Sequence, residues 1–402
     1  FTFPGVDEEV WKTQLKKTYS TRDFQSNFIY HSIQKVIELT SEGVTTSGFE
    51  TLEQNTSYLF ISNHRDIILD TSILNGCLFD HGLLMTASAI GDNLVKKSFM
   101  NILAKINRNF LVLRGLPPRE LLQSSKLLSE YIAQLLLREN RSVWIAQREG
   151  RTKDGNDATH PGVLKMLAMG SEEENIIKYF KKIRIVPISI SYEYDPTDAL
   201  KMPQLLAEAN NEVYVKAKNE DFNTLLSGIM GPKKRIHISV GKILDTELDA
   251  IGLEYENTNK QIQALAQVLD YAIIKNYKLW PTNYIAYDIV NETTKFSHLY
   301  TKDEKALFER RLEMRIDHSN EFLKHSFLAM YANPVVNKMK LEDALSYRIH
   351  TKPDCKQAAL VISEKTGKKI SESTVYRLFL WENNINSPYV QTLEILADFI
   401  GY

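Results

Sequence analysis

Short apolar runs separated by amphipathic stretches mark the chain before Asp245. Several of these runs have the length and the β-branched or aromatic content of buried strands. The predicted strands are 57–62, 83–87, 110–113, 142–147, 184–192 and 235–240. Between them, apolar residues at helical spacing are clearest over 119–138 and 162–170. This alternation predicts an α/β fold with a largely parallel sheet flanked by helices.

Helical patterns extend the chain on both sides of this region. Residues 7–42 carry a broken helical stripe, and the turn-rich segment 43–55 leads from it to the first predicted strand. We therefore predict an N-terminal helical segment over 1–48. Residues 49–338 are predicted to form the α/β domain with a helical cap. The cap is rich in aromatic side chains, which either pack on the sheet or form a belt at a membrane surface.

The last part of the chain, residues 339–402, is predicted to be a small helical module that resembles a helix-turn-helix. Ser371 is placed to cap its second helix, which directs Ser373, Thr374 and Arg377 outward. The module has eight basic and eight acidic residues, whereas DNA-binding domains normally carry a basic footprint. The charge balance favours a packing or partner-binding module, with nucleic-acid binding as the alternative.

Length, charge and cysteine content limit the class of protein. The chain has 402 residues, so more than one domain is expected. Its net charge of −1 argues against a strong overall attraction to nucleic acid or anionic lipid. The two cysteines, Cys77 and Cys355, lie far apart and predict no disulfide framework, as in a reducing compartment. No apolar run reaches about 18 residues, so the sequence predicts no transmembrane helix and a cytoplasmic location.

A polar block follows the first predicted strand. His64 stands directly after Asn63, and two carboxylates follow, Asp66 and Asp70. A histidine held by a carboxylate can act as a general base near neutral pH. By itself such a pair is more commonly structural, because buried polar groups need partners.

Three further blocks stand on strands downstream. Arg114 ends the apolar run 110–113, and a charged, glycine-punctuated loop follows the run 142–147. The fourth block is the strand 184–192, which contains Pro187. Together the four blocks, in this order, resemble the glycerolphosphate acyltransferase superfamily, whose members acylate glycerol phosphate, lysophosphatidate and related acceptors. The resemblance extends over about residues 50–245.

The first block departs from the family pattern, which places four residues between the histidine and the aspartate. Five residues separate His64 from Asp70. Asp70 reaches the imidazole if the turn contains a one-residue bulge of the π type. Asp66 is the rival partner. We favour Asp70, because the apolar run 67–69 places it at the end of a buried segment.

The resemblance implies direct transfer of an acyl group from a donor to an acceptor hydroxyl, without an acyl-enzyme. His64 is then the general base. The absence of a Gly-x-Ser-x-Gly motif agrees with this mechanism. Arg114 and Arg151 are predicted to bind an acceptor phosphate, because arginine stays charged and binds phosphate with two parallel hydrogen bonds. The alternative for Arg114 is a surface arginine after a strand.

The remaining candidate residues have supporting roles. Lys153 adds a positive charge for the phosphate. Glu149 either bonds an acceptor hydroxyl or orders its loop, and the N–H of Gly150 is placed to face the oxyanion. Pro187, by resemblance, shapes the acyl pocket. The histidines show no metal-ligand spacing, so no metal site is predicted.

The expected substrates follow from the family. No cofactor is predicted, and the donor is acyl-CoA, acyl carrier protein or acyl phosphate. The acceptor is a phosphorylated glycerol or a lysolipid, with an aminolipid or a lipid A-type sugar as the alternative. The alternative hypothesis without enzymatic activity is a degenerate acyltransferase domain fused to a DNA- or partner-binding regulator. Residues 93–106 form a basic amphipathic stretch that either lies at the inner face of the cytoplasmic membrane or packs on the sheet.

Overall fold

The structure is a computed structural model that describes residues 8–317 and 319–345, and short pieces at 359–360, 362–364, 366–368 and 370–371. Most of the module predicted over 339–402 lies outside the described residues. This includes Ser373, Thr374 and Arg377.

A seven-stranded sheet in the order β1-β7-β6-β2-β5-β3-β4 forms the centre of the described residues. All neighbouring strands are parallel except β6 and β7, which are antiparallel. The predicted fold class, a largely parallel sheet flanked by helices, is confirmed. The strands are β1 Ser41–Ser47, β2 Leu59–Ser62, β3 Ala87–Gly91, β4 Asn109–Val112, β5 Val143–Ala146, β6 Ile185–Tyr192 and β7 Lys234–Val240.

Helices cover both faces of the sheet and extend it at both ends. The α-helices are α1 Glu8–Lys16, α2 Thr21–Phe24, α3 Tyr30–Thr40, α4 Leu69–Asp80, α5 Ser98–Ile106, α6 Pro118–Leu137, α7 Pro161–Ala168, α8 Ile176–Lys182, α9 Asp198–Ala209, α10 Glu220–Met230, α11 Asp245–Glu254, α12 Thr258–Asn276, α13 Pro281–Val290, α14 Lys302–Arg315 and α15 Glu321–Leu345. A π-helical turn, Gln25–Ile29, joins α2 to α3, and short 3-10 turns lie at Phe49–Thr51, Asp92–Leu94 and Ser297–Leu299.

Two strand predictions are wrong in detail. The segment expected to be turn-rich contains β1, an edge strand that pairs with β7. Its sequence is polar and largely solvent-accessible, so it lacks the apolar signal of a buried strand. The strand predicted at 83–87 begins only at Ala87. The apolar run before it packs as a loop, in which Met85 lines a cavity.

The two faces of the sheet have separate cores. On one face, Leu59 and Ile61 of β2 pack against α6, α7, α8, α11 and α12. On the other, Tyr58 and Phe60 pack against α3 and α4. Because side chains alternate along a strand, one short strand supplies both cores. We call these the packed face and the cavity face, respectively.

A third core holds the helical cap together. Phe308 of α14 and Phe327 and Tyr331 of α15 pack around residues of α9 and α13. Tyr277 and Trp280 are buried, so these aromatic residues of the cap pack inside the protein rather than forming an exposed belt. Within the described part of the chain, none of the helices has both the length and the apolar character needed to cross a bilayer.

Candidate active site

Functional loops meet at the carboxyl edge of the sheet. Strands β2, β3, β4, β5 and β6 run in the same direction, so the loops that follow them emerge at one edge. His64 follows β2, Arg114 follows β4, and the charged loop from Arg148 follows β5. Asn63 fixes the end of β2, because its side chain donates to Ile190 O at 2.9 Å and accepts from Ile190 N at 2.8 Å.

His64 and Asp70 are in contact. Nδ1 of His64 lies 2.8 Å from Oδ2 of Asp70, and the same carboxylate oxygen accepts the backbone N–H of Arg65 at 2.7 Å. Its Oδ1 accepts from the hydroxyl of Tyr192 at 2.9 Å. Because the carboxylate can only accept, Nδ1 carries the proton and Nε2 remains as the basic ring atom. Asp70 is fully buried, whereas the His64 side chain keeps 15% of its exposure.

Asp66 has a different task. Its Oδ1 accepts the N–H groups of Ile68 and Leu69, at 3.0 and 2.9 Å, and so closes the turn directly before α4. Burial and the neighbouring Asp70 raise the pKa of Asp66. Its Oδ2 lies against Gly228, where a Cβ would be only 2.2 Å away. Of the two rival carboxylates, only Asp70 contacts the imidazole among the described hydrogen bonds.

The expected π-type bulge between His64 and Asp70 is wrong. Helix α4 begins at Leu69, and Asp70 lies in its first turn. The extra residue is taken up by the irregular turn that Asp66 caps, before the helix begins. The only π-helical turn among the described residues lies at Gln25–Ile29.

The charged loop after β5 is attached to the histidine. Thr152 N donates to the carbonyl of His64 at 2.9 Å. Gly150 has φ of +73°, a left-handed conformation that favours glycine. Nε of Arg114 lies 3.7 Å from Oε1 of Glu149, and both side chains are well exposed. The loops after β4 and β5 thus bring Arg114, Glu149 and Gly150 together at the edge that holds His64.

Arg151 and Lys153 turn toward the segment after β6. Nη1 of Arg151 donates to Oγ1 of Thr197 at 3.0 Å. Lys153 makes an ion pair with Glu208 of α9 at 3.4 Å.

Pro187 lies away from these loops. It pairs with Ile61 inside the sheet, and its carbonyl accepts from Gly241 N at 2.8 Å. In a strand, the N–H and C=O of one residue point to the same side, so the missing N–H of Pro187 falls where the pairing with β7 ends. Pro187 is not among the residues that line the cavity of the cavity face.

Sequence reasoning missed a buried ionic group behind His64. The guanidinium of Arg65 pairs with Asp157 and lies 5.4 Å from the centre of the Tyr277 ring. Thr159 N donates to Asp270 at 2.7 Å, and burial raises the pKa of Asp270 to about 7. The position of Arg65 directly after His64 was the one sequence signal for this group. The partner of Arg65, Asp157, lies too far away in the sequence to be predicted.

An apolar cavity of about 890 Å³ lies on the cavity face. Ile68, directly before α4, and Thr71 and Gly76 of α4 contribute to its wall, so the cavity runs along α4 from its first turn. The other walls come from α1, α3, α5 and α10. A Cβ on Gly76 would meet no atom within 4 Å. The cavity therefore begins at Ile68 and Thr71, on either side of Asp70 in the chain, whereas the side chains of His64 and Asp70 are not among its lining residues.

No group of three histidine, cysteine, aspartate or glutamate residues is arranged to hold a metal ion among the described residues. The polar groups at the carboxyl edge comprise a histidine with its carboxylate partner, two arginines and an exposed loop with a glycine of positive φ.

Comparison with known proteins agrees with the sequence resemblance. Residues 43–191 match the family model Acyltransferase. No curated protein matches the chain. The chain is similar to a solved structure, the 1-acyl-sn-glycerophosphate (LPA) acyltransferase PlsC from Thermotoga maritima, with a TM-score of 0.35 and 12% identity over 68% of this chain and 84% of that chain. The resemblance to the glycerolphosphate acyltransferase superfamily is confirmed for residues 43–191.

Proposed function

We propose that this acyltransferase, whose matched domain spans residues 43–191, moves a fatty acyl group from a thioester donor to a hydroxyl of glycerol phosphate or lysophosphatidate. The observation that carries the proposal is the hydrogen bond between His64 and the buried Asp70, with Ile68 and Thr71, on either side of Asp70 in the chain, lining an apolar cavity. A base next to an apolar cavity suits a reaction between a polar hydroxyl and a fatty chain.

His64 acts as the general base in this reaction. Nε2 removes the proton of the acceptor hydroxyl as its oxygen attacks the thioester carbonyl. Asp70 stabilises the imidazolium that forms. The tetrahedral intermediate then collapses, the C–S bond breaks, and the thiolate takes the proton from His64. The N–H of Gly150 is the proposed donor to the oxyanion, because its loop is attached to His64 through Thr152.

Arg114 and Arg151 hold the acceptor phosphate in this proposal. Their loops follow β4 and β5 and both reach the edge that carries His64. Arg114 is paired with the exposed Glu149 at 3.7 Å, a long contact that an arriving phosphate dianion can replace. Glu149 is then released toward the acceptor hydroxyls. Lys153, paired with Glu208, adds positive charge from the side of α9.

The acyl chain occupies the cavity. Its volume of about 890 Å³ lies within the range that binds a drug-sized ligand. The apolar walls of the cavity suit a hydrocarbon chain. At the end of the cavity near the start of α4, the lining includes Thr71 and Ser72, which follow Asp70 in the chain. The thioester donor, acyl-CoA or acyl carrier protein, presents its carbonyl at that end.

A membrane surface is the proposed source of lipid acceptors, at the inner face of the cytoplasmic membrane. Phe99 and Ile102 of α5 are 55% and 57% exposed, and Leu111 of the edge strand β4 is 37% exposed. Lys96 and Lys105 are exposed beside them. Apolar side chains with basic neighbours suit an anionic lipid surface. Sedimentation with phosphatidylglycerol vesicles tests this: Ile102→Asp should weaken binding, and Leu253→Asp on the exposed side of α11 should not.

The activity is tested with purified protein, a panel of acceptors and labelled acyl donors, read by mass spectrometry. His64→Ala should slow acyl transfer by about 10²–10⁴-fold, because the general base is lost. His298→Ala, at an exposed histidine, is the matched control. A folded His64→Ala variant that turns over at the wild-type rate would exclude His64 as the base.

The acceptor class is tested with the arginines. Arg114→Ala and Arg151→Ala should each raise the acceptor KM by roughly ten- to a hundredfold and leave the donor KM nearly unchanged, because each removes a charge-assisted hydrogen bond. A rise in the donor KM alone would assign these arginines to the donor. If both values stay constant, an aminolipid or sugar acceptor becomes the better proposal.

A further inference from the structure

Arg151 is held by a residue outside the segment that matches the family. Its Nη1 donates to Oγ1 of Thr197 at 3.0 Å. Thr197 lies between β6 and α9 and is fully buried. The hydroxyl of Thr197 has one proton, which it donates to Oδ1 of Asp195 at 3.2 Å. The hydroxyl therefore accepts from the arginine and donates to the aspartate, so both of its roles are filled.

Asp195 is fixed from several directions. Its Oδ1 also accepts the backbone N–H of Thr197 at 2.9 Å, and its Oδ2 pairs with the buried ammonium of Lys201. Burial opposes the charge of Asp195, but Lys201 and the nearby Arg65 hold its pKa below the usual value. The carboxylate is thus a fixed acceptor, and it sets the direction in which the Thr197 hydroxyl points.

The helical cap anchors this arrangement from behind. The backbone N–H of Asp195 donates to the hydroxyl of Tyr331 at 3.0 Å, and its carbonyl accepts from Arg311 at 3.1 Å. The Tyr331 hydroxyl in turn donates to Asp198 at 2.8 Å. Arg315 also binds Asp198. The segment that holds Thr197 is therefore fixed to α14 and α15 through buried side chains.

We propose that Thr197 is a positioning residue for the acceptor, which orients the Arg151 guanidinium toward the phosphate and connects it to the helical cap. The inference rests on the proposed function of Arg151. An arginine side chain on a loop loses much rotamer freedom when it binds an anion. A partner that fixes one Nη before binding lowers that cost and leaves the other donors of the fork for the phosphate.

The kinetic test compares two substitutions. Thr197→Val keeps the shape but removes the hydroxyl, and Thr197→Ser keeps the hydroxyl. With sn-glycerol 3-phosphate and a lysophosphatidate as acceptors, Thr197→Val should raise the acceptor KM by about five- to twentyfold and change the donor KM little, because one hydrogen bond to a charged group is lost. Thr197→Ser should restore the wild-type KM. Equal losses in both variants would overturn the proposal.

A second measurement does not depend on the acceptor. Phenylglyoxal modifies accessible arginines, and peptide mapping follows its rate at Arg151 in the full chain. Thr197→Val should increase that rate severalfold, whereas Thr197→Ser should leave it unchanged. An unchanged rate at Arg151 in Thr197→Val overturns the positioning role. If the modification rate rises but Arg151→Ala leaves the acceptor KM unchanged, the proposed phosphate site fails while the contact to Thr197 stands.

Folding is checked by thermal unfolding of each variant. If Thr197→Val does not fold, Thr197→Ala replaces it, because this change also removes the hydroxyl that accepts from Arg151. Thr197→Ala should then raise the rate of modification at Arg151 in the same direction. A folded Thr197→Ala variant with wild-type modification and wild-type acceptor KM would also overturn the proposal.

Discussion

The packed face and the cavity face are built on the same strands but differ in how closely their helices pack. On the packed face, side chains such as Leu164 of α7 and Leu265 of α12 have no exposed surface. On the cavity face, α4 lies beside about 890 Å³ of empty space that continues to α1 and α5. Close packing gives stability, because a void forfeits contacts on one side of each lining group. The cavity face lacks some of that packing, at the place where we propose that the acyl chain binds.

The difference predicts that the two faces respond differently to mutation. Changes on the packed face should lower the free energy of unfolding and leave catalysis nearly unchanged. Changes near the cavity should alter turnover or substrate choice with a smaller effect on stability. The following variants test whether this separation holds.

The largest expected effect is on turnover, at the two carboxylates that follow His64. Asp70→Asn should lower kcat by about 10²–10⁴-fold, because the amide cannot stabilise the imidazolium or fix the histidine tautomer. Asp66→Asn should reduce kcat far less, since its Oδ1 can still accept the N–H groups of Ile68 and Leu69. Steady-state kinetics with thermal unfolding as a fold control decides between them. The reverse order would make Asp66 the functional partner of His64.

The next effect is on stability, at the packed face. Phe180 of α8 is 1% exposed, and Phe180→Ala should lower the free energy of unfolding by about 3–5 kcal/mol. Phe28→Ala is the matched variant on the cavity face and should lower it less, because the Phe28 ring already borders empty space. Denaturant titration measures both values. Equal losses would show that the cavity does not weaken the packing around Phe28.

Alanine substitution of two glycines should change the free energy of unfolding by smaller amounts, with opposite signs on the two faces. Gly76→Ala should raise the free energy of unfolding by roughly 0.5–1 kcal/mol, because the residue is helical and its Cβ would point into open space. Gly170→Ala on the packed face should lower it by about 1–3 kcal/mol, because its Cβ would lie 2.5 Å from the backbone of Ser129.

Enlarging Gly76 further tests where the acyl chain lies. Gly76→Leu should shorten the longest acyl chain that is transferred efficiently, because the new side chain fills part of the cavity. Competition among acyl donors of increasing length, read by mass spectrometry, gives the preference. An unchanged preference in a folded Gly76→Leu protein would place the acyl chain elsewhere.

The smallest expected effect is on the pH dependence of stability, through Asp270 of α12 on the packed face. Burial raises the pKa of Asp270 to about 7, so between about pH 4 and 7 the folded state holds a proton that the unfolded state releases. Stability should therefore fall as pH rises through this range. Asp270→Asn should remove that fall and raise Tm at pH 8 by about 2–4 °C, with little change at pH 4. A Tm gain of equal size at both pH values would contradict this account.

The sequence predicted the parts of the fold and site that have a local signal. Strands β2, β5 and β6 are apolar and β-branched, and the polar residues after β2 and β5 mark the carboxyl edge. Strand β1 was not predicted, because an exposed edge strand needs no apolar side chains. The His64–Asp70 contact was preferred on local grounds, but its geometry depends on the turn that Asp66 caps.

Contacts between distant segments had no sequence signal. Thr197 is 46 positions from Arg151, and Asp157 is 92 positions from Arg65. Neither pair has a spacing that a helix or strand would reveal. The cavity could not be predicted from the sequence either. Its walls come from α1 and α3 before the acyltransferase segment, from α4 and α5 within it, and from α10 after it.

The antiparallel pairing of β6 with β7 has a consequence for how such enzymes can diversify. Because the two strands run in opposite directions, the connection that leaves β6 rejoins β7 at the same edge of the sheet. That connection carries α9, whose Glu208 binds Lys153, and α10, which lines the cavity. Under the proposed function, exchanging this connection should leave every strand in register and alter head-group and chain preferences together. It is therefore the natural unit to exchange between homologues when new substrate ranges are sought.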